Sequence, residues 1–286
     1  MKNLAEHLIS CATLAASLDK KDLDKKDYVL IDCRFDLADP EAGYRAYLQA
    51  HIPGAVYAHL DTHLSGRPTT DCGRHPLPAP EDIKDNFECL GVADDSQVIV
   101  YDDQGGMLAA RAWWMLRYIG HDSVAILDGG WSSWQHAGLA VAEGQVEAHK
   151  GTLTGTAISE RLVVYADLNP KMHLVDAREP GRFRGEYEPI DARAGHIPGA
   201  DNHFFQDNLD ESGEFLPPDT IRDRFRQSLG RLPDEQTVHY CGSGVSACHN
   251  IFAQVSAGMP EPKLYCGSWS EWAKLTAENE GSDERA

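Results

Sequence analysis

The 286-residue sequence predicts an α/β protein made of two tandem domains, each a parallel sheet flanked by helices. Three observations carry that expectation. The same markers recur in the same order in both halves, short β-branched runs alternate with helical segments, and helices open at proline and close at glycine. "YVLIDCRFD" from Tyr28 is answered by "HLVDAREP" from His173, and "HIPGA" at His51 by "HIPGA" at His196. Pro80, Ile83, Phe87 and Gly91 are matched by Pro218, Ile221, Phe225 and Gly230, each set reading as one helix. "QVIVYD" then matches "QTVHYC", and "LDGGWSSW" at Leu127 matches "LYCGSWSEW" at Leu264.

Taken in order, the first domain is expected over residues 1–140, a polar linker rich in glycine and threonine over 141–159, and the second domain over 160–286. The apolar run from Leu8 to Ser17 reads as an amphipathic first helix rather than a signal-peptide core. It has a single lysine before it and Asp19, Lys20 and Lys21 after it. No stretch reaches the length of a membrane span. The net charge of -19 argues against nucleic acid and anionic membrane as partners, since both attract basic surfaces. Seven cysteines without paired spacing argue against a disulfide framework or a structural zinc site and for a reducing compartment, the cytoplasm.

The chemistry is expected in "HYCGSGVSACHN", residues His239 to Asn250. Cys241 ends a β-like run, residues too small to shield it follow, and Cys248, Ile251, Phe252 and Val255 then recur at helical spacing. In a strand, tight loop and helix, backbone amides converge on one atom and stabilise negative charge there, so Cys241 is expected to be a low-pKa thiolate. Cys248 falls on the apolar helix face and reads as core. Asp102 stands where Cys241 stands in the other half, and its following loop, "DQGGMLAA", differs in length. An aspartate cannot serve as a sulfur nucleophile, so one half does the chemistry while the other shapes the cleft.

From about Leu8 to Trp272 the chain resembles the two-domain rhodanese-like sulfurtransferases, on "HIPGA" in both halves, "CGSGVSA" as the active loop and "GSWSEW" near the end. The resemblance implies a five-stranded parallel sheet in each domain and a ping-pong reaction carried by a persulfide on Cys241. It implies a small-molecule sulfur donor, a thiol or cyanide acceptor and a thioredoxin-like reductant, with no metal and no other cofactor. Within the family the loop is similar to that of 3-mercaptopyruvate sulfurtransferases. Thiosulfate sulfurtransferases place basic residues after the cysteine, whereas Gly242, Ser243 and Gly244 offer amides and a hydroxyl but no cation.

The resemblance also implies site residues. Gly242, Gly244, Val245 and Ser246 line the donor, and Arg182, in "GRFRGEYEP", clamps its carboxylate. A second family arginine follows Glu-Pro, but here Glu188 and Pro189 are followed by Ile190. This predicts a weak KM that tightens in Ile190→Arg, unless Arg184 or Arg193 fills the gap. Asp61, His75 and Ser243 occupy the positions of a proton relay, though Asp61 and His75 are further apart in sequence than in the family. The alternative is a histidine that merely satisfies a loop. Cys266 stands where the family has aspartate and reads as a neutral filler beneath the active loop.

Three alternatives are weighed against this reading. A thiosulfate sulfurtransferase would share the fold and the nucleophile. A cysteine-dependent phosphatase needs an arginine six residues after its cysteine, and Ala247 stands there. A non-catalytic binding module would have no need of an intact nucleophile loop with Arg182.

Overall fold

A computed structural model describes residues 7–18 and 28–283. The chain divides into two compact units, one comprising Met1–Leu64, Pro78–Ile158 and Leu209–Leu216, the other Ser65–Leu77, Ser159–Asn208 and Pro217–Ala286.

In chain order the first unit contains β1 (Leu8–Ile9), α1 (Cys11–Leu18), β2 (Tyr28–Asp32), α2 (Ala42–Gln49), β3 (Val56–Tyr57) and α3 (Pro80–Cys89). It continues with β4 (Gln97–Tyr101), α4 (Ala109–Tyr118), β5 (Val124–Leu127) and α5 (Gly130–His136). Its sheet is parallel, in the order β1-β5-β4-β2-β3. Helices on both faces leave the central strands no polar side, and Val98, Ile99, Val100 and Tyr101 of β4 are all buried. The run expected as one helix from Leu8 is split. Leu8 and Ile9 pair with β5, and Ser10 then accepts a hydrogen bond from the Thr13 amide (3.2 Å), so the helix starts only at Cys11.

The second unit contains β6 (Leu162–Val163), β7 (His173–Asp176), α6 (Pro180–Phe183), β8 (Asp201–Asn202), α7 (Pro218–Leu229), β9 (Thr237–Tyr240), α8 (Ser246–Ser256), β10 (Lys263–Tyr265) and α9 (Ser268–Asp283). Its parallel sheet runs β6-β10-β9-β7-β8, the same permutation as the first.

The repetition extends to individual atoms. Arg34 grips Asp32 (2.6 Å), reaches the Ala50 carbonyl (2.7 Å) and lies over Trp131. Arg178 grips Asp176 (2.7 Å), reaches the Gly195 carbonyl (2.7 Å) and lies over Trp269. Each "HIPGA" is a Pro-Gly turn whose glycine has positive φ (+85° at Gly54, +83° at Gly199). Its isoleucine amide donates to a buried tyrosine hydroxyl, Tyr101 or Tyr240, at 3.2 Å. These markers belong to the framework.

Residues 141–158, whose composition reads as a linker, lie against the first unit. Ala142 pairs with His51, Gly144 donates to Leu48, Gly151 to Glu88 and Ile158 to Tyr118. A β-carbon on Gly151 would meet the Val92 carbonyl at 2.0 Å, so this glycine serves close packing. Residues 65–77 pack into the second unit, where the Arg74 amide donates to Ser270 Oγ (3.1 Å) and Lys274 Nζ to the Cys72 carbonyl (2.9 Å). That excursion carries Arg74 and His75 to the end of the second sheet.

Candidate active site

Cys241 follows β9, the central strand of the second sheet, where ligands of parallel α/β sheets are expected. Gly242 to Val245 form the loop and Ser246 opens α8, the strand-loop-helix expected from the sequence. The Gly244 amide donates to Cys241 Sγ (3.1 Å), so part of the expected cradle is present. Gly244 is required on two counts. Its φ is +81°, and a β-carbon would lie 2.5 Å from the Cys266 carbonyl oxygen. Cys266 is buried beneath the loop and donates weakly through its thiol to the His75 carbonyl (3.7 Å). Cys248 is fully buried on α8.

Contrary to the small residues around it, Cys241 is only 2% exposed. The first turn of α9 brackets it: the Cys241 amide donates to Ser268 Oγ (3.1 Å), and its carbonyl accepts from the Trp269 amide (2.9 Å). Sequence reasoning missed Ser268. Its signal lies in the repeat, where Gly130 occupies the matching position with φ +55° and Ser268 has φ +56°. A non-glycine residue in that region is strained, and its hydroxyl offsets the strain by bridging Cys241 and the Tyr265 carbonyl (3.0 Å).

His75 Nδ1 and Ser243 Oγ are 2.7 Å apart, so the second unit brings two of the three relay candidates together. The third, Asp61, belongs to the first unit, in an exposed turn where its amide donates to His59 Nδ1 (3.1 Å). Val245 is buried and Ser246 half-buried at the helix start.

The loop residues themselves supply no cation, but two guanidinium groups border the loop, so a donor there would meet more than amides and hydroxyls. A β-carbon on Gly242 would lie 2.9 Å from Arg74 Nη2 and 3.7 Å from Arg182 Nη2. Both guanidinium groups come from outside the loop: Arg182, from α6, is expected from the sequence, whereas Arg74, from the 65–77 segment, is not. Arg182 holds Glu188 Oε1 (2.6 Å), which Arg178 also approaches (3.2 Å to Oε2). Burial pushes the Glu188 carboxyl up, but Arg182 and the amides of Asp191 and Ile190 outweigh it and hold it below the ordinary value. Asp191 joins Arg182 (3.6 Å) to Arg74, which pairs with it closely. Burial raises the Asp191 carboxyl, with Arg74 opposing. Three arginines, Arg74, Arg178 and Arg182, therefore meet three carboxylates, Asp176, Glu188 and Asp191. Ile190 points outward at 46% exposure, and Arg184 is occupied by Glu186 on the surface.

The first unit offers the contrast. Asp102 occupies the position of Cys241, and its carboxylate accepts four amide hydrogen bonds at 2.7–2.8 Å, from Gln104, Gly106, Leu108 and Ala109. Complete burial raises its pKa while those amides pull it back.

The sequence pattern of the family described as "Rhodanese-like domain" matches residues 15–137 and 163–275. A Pseudomonas aeruginosa protein provisionally named as a 3-mercaptopyruvate sulfurtransferase is 46% identical over 272 residues, covering 93% of this chain and 94% of that protein. A Mycobacterium tuberculosis protein provisionally named as a thiosulfate sulfurtransferase is 37% identical over 285 residues, covering 96% of each. Among solved structures, a 3-mercaptopyruvate sulfurtransferase from Leishmania major superposes with a TM-score of 0.84 at 30% identity, over 96% of this chain and 76% of that one.

Proposed function

The chain belongs to the rhodanese-like family, and we propose that it is a sulfurtransferase acting on 3-mercaptopyruvate, with Cys241 as the sulfur carrier. The observation that carries this reading is the juxtaposition on one loop of the Gly244 amide at Cys241 Sγ and the His75–Ser243 pair. Attack by the Cys241 thiolate on the donor sulfur forms a sulfur–sulfur bond and breaks the donor's carbon–sulfur bond. The electron pair passes to the carbon as the pyruvate enolate. One proton converts the enolate to pyruvate, and the His75–Ser243 hydrogen bond is the route for it. An acceptor thiolate or cyanide then attacks the outer sulfur and releases the Cys241 thiolate.

The two sequence halves, residues 1–140 and 160–286, read as the two domains of the enzyme, the second catalytic, although residues 65–77 pack with the second compact unit and residues 141–158 and 209–216 with the first. The odd, scattered cysteines support a reducing compartment, the cytoplasm. There a thioredoxin-like dithiol takes the outer sulfur, closing its own disulfide and releasing hydrogen sulfide. No helix among the described residues is long and apolar enough to cross a membrane.

Thiosulfate is the second reading, favoured by the two guanidinium groups beside Gly242. The balance of three arginines with three carboxylates leaves little excess positive charge for a dianion, which favours the monoanionic keto acid. Steady-state comparison of the two donors decides between them, and higher kcat/KM for thiosulfate overturns the first reading. Intact-mass measurement after incubation with donor tests the carrier: one added sulfur on the wild type and none on Cys241→Ser. An adduct retained by the variant transfers the role to another cysteine, Cys266 first.

A further inference from the structure

The parallel pairing of β9 with β10 sets Lys263 beside Val238 and Leu264 beside His239. Carried past the last pair, that register brings Cys266 level with Cys241, each the first residue beyond its strand. Neighbouring strands lie about 4.8 Å apart, inside the range of about 4.4–6.8 Å between α-carbons that a disulfide spans. Gly244 touches both residues. Its amide donates to Cys241 Sγ (3.1 Å), and a β-carbon on it would lie 3.1 Å from the Cys266 α-carbon. Being glycine, it puts no side chain between them.

The first unit shows what the same two places hold where no sulfur nucleophile stands. There Val100 pairs with Ile126, and the same register brings Asp102 level with Asp128. The correspondence is close, since the Trp131 amide donates to the Asp102 carbonyl (2.7 Å) as the Trp269 amide does to that of Cys241 (2.9 Å). Two adjacent carboxyls in one unit are thus answered by two adjacent thiols in the other. Both thiols are shielded, and that of Cys266 reaches the carbonyl of His75, whose ring meets Ser243 of the active loop.

We propose that Cys266 is the resolving thiol for the persulfide on Cys241, an internal acceptor that releases hydrogen sulfide and leaves a Cys241–Cys266 disulfide. This rests on the reading of Cys241 as sulfur carrier. The Cys266 sulfur attacks the inner sulfur of the persulfide, so a bond forms between the two Sγ atoms and the bond to the outer sulfur breaks. Its electron pair leaves with the outer sulfur, which takes up the Cys266 proton and departs as hydrogen sulfide. Two thiols are oxidised to a disulfide while the sulfane sulfur is reduced to sulfide, so no outside oxidant enters. A dithiol then reduces the disulfide by exchange, becomes a disulfide itself and returns Cys241 to the next donor.

The test starts from wild type, Cys266→Ser and Cys248→Ser, each loaded with 3-mercaptopyruvate and freed of excess donor by gel filtration without air. The loaded wild type should lose its added sulfur as hydrogen sulfide and end two hydrogens lighter than the untreated chain. Because the step is internal, its rate should not depend on protein concentration. Digestion without reductant should yield a peptide pair joined through Cys241 and Cys266, and dithiothreitol should restore the original mass. Cys248→Ser should behave alike, whereas Cys266→Ser should acquire the sulfur and hold it, with sulfide release slowed by about tenfold or more. The wild-type peptide map decides the matter without any variant. A persulfide equally long-lived in wild type and Cys266→Ser overturns the proposal, as does a disulfide from Cys241 to another cysteine or a decay that quickens with protein concentration. Failure of the wild type to acquire sulfur from either 3-mercaptopyruvate or thiosulfate overturns the carrier reading itself, and this proposal with it.

Discussion

The imidazole of His75 lies 2.7 Å from the hydroxyl of Ser243, although 168 residues separate them in the chain. If this pair delivers the proton to the departing enolate, Ser243→Ala and His75→Ala should each lower kcat on 3-mercaptopyruvate by about a hundredfold. The double variant should be little worse than either, since both remove one path. Transfer from thiosulfate releases sulfite without protonating carbon, so its kcat should change by only about threefold. Equal losses on both donors would show that the pair only shapes the loop.

Gly244→Ala confronts the φ of +81° and the Cys266 carbonyl together. The loop must shift, and the amide that donates to Cys241 Sγ shifts with it. The rate of persulfide formation, followed by mass, should fall by about a hundredfold or more, on the scale of one lost oxyanion-type donor. A normal rate would remove that amide from the mechanism.

Asp102→Ala leaves four amides facing a cavity in the first unit. Orphaned buried donors cost about 1–3 kcal/mol each before relaxation, so urea unfolding should register a loss of about 3 kcal/mol or more. Donor turnover by the folded variant should stay within about tenfold of wild type. Complete loss of turnover in a folded variant would show that the first unit takes part in the chemistry.

Burial, with Glu214 adding to it, pushes the Asp128 carboxyl up to about 6, against the Phe215 amide that donates to it (2.9 Å). Between the unfolded value of about 4 and the folded one, the folded protein keeps a proton that the unfolded chain has released. Stability from this group therefore falls as pH rises through that window and stays reduced above it. Asp128→Asn, which can still accept from Phe215, should flatten the slope and be the more stable protein at pH 7. Parallel slopes for the two proteins in urea melts from pH 4.5 to 8 would contradict this.

With Arg74 and Arg182 both beside Gly242, Ile190→Arg should leave the wild-type KM for 3-mercaptopyruvate nearly unchanged. Tightening of the wild type by the substitution would instead mean that the position after Glu-Pro is vacant.

The legible parts of the molecule are those encoded locally. Periodic repeats marked both sheets, Pro218 and Gly230 framed α7, and the glycines after Cys241 marked its loop. Ser10 defeated the reading of the first helix, because one capping residue outweighs the apolar run around it. Arg74 could not be found in the same way. It reaches the loop only because residues 65–77 pack into the second unit, a contact distant in sequence that no local propensity encodes. Gly151 shows the converse, a composition that suggests slack chain where the backbone is in fact held at close approach.

Asp102 makes its loop a receptor already occupied by a tethered ligand. A group held within its own binding site has an effective concentration that dissolved anions cannot match, so that loop stays saturated. At the matching position the second unit has Cys241, the proposed sulfur carrier, whose cargo would be renewed with each turnover. Duplication has thus left one receptor permanently filled and the other free to exchange its cargo.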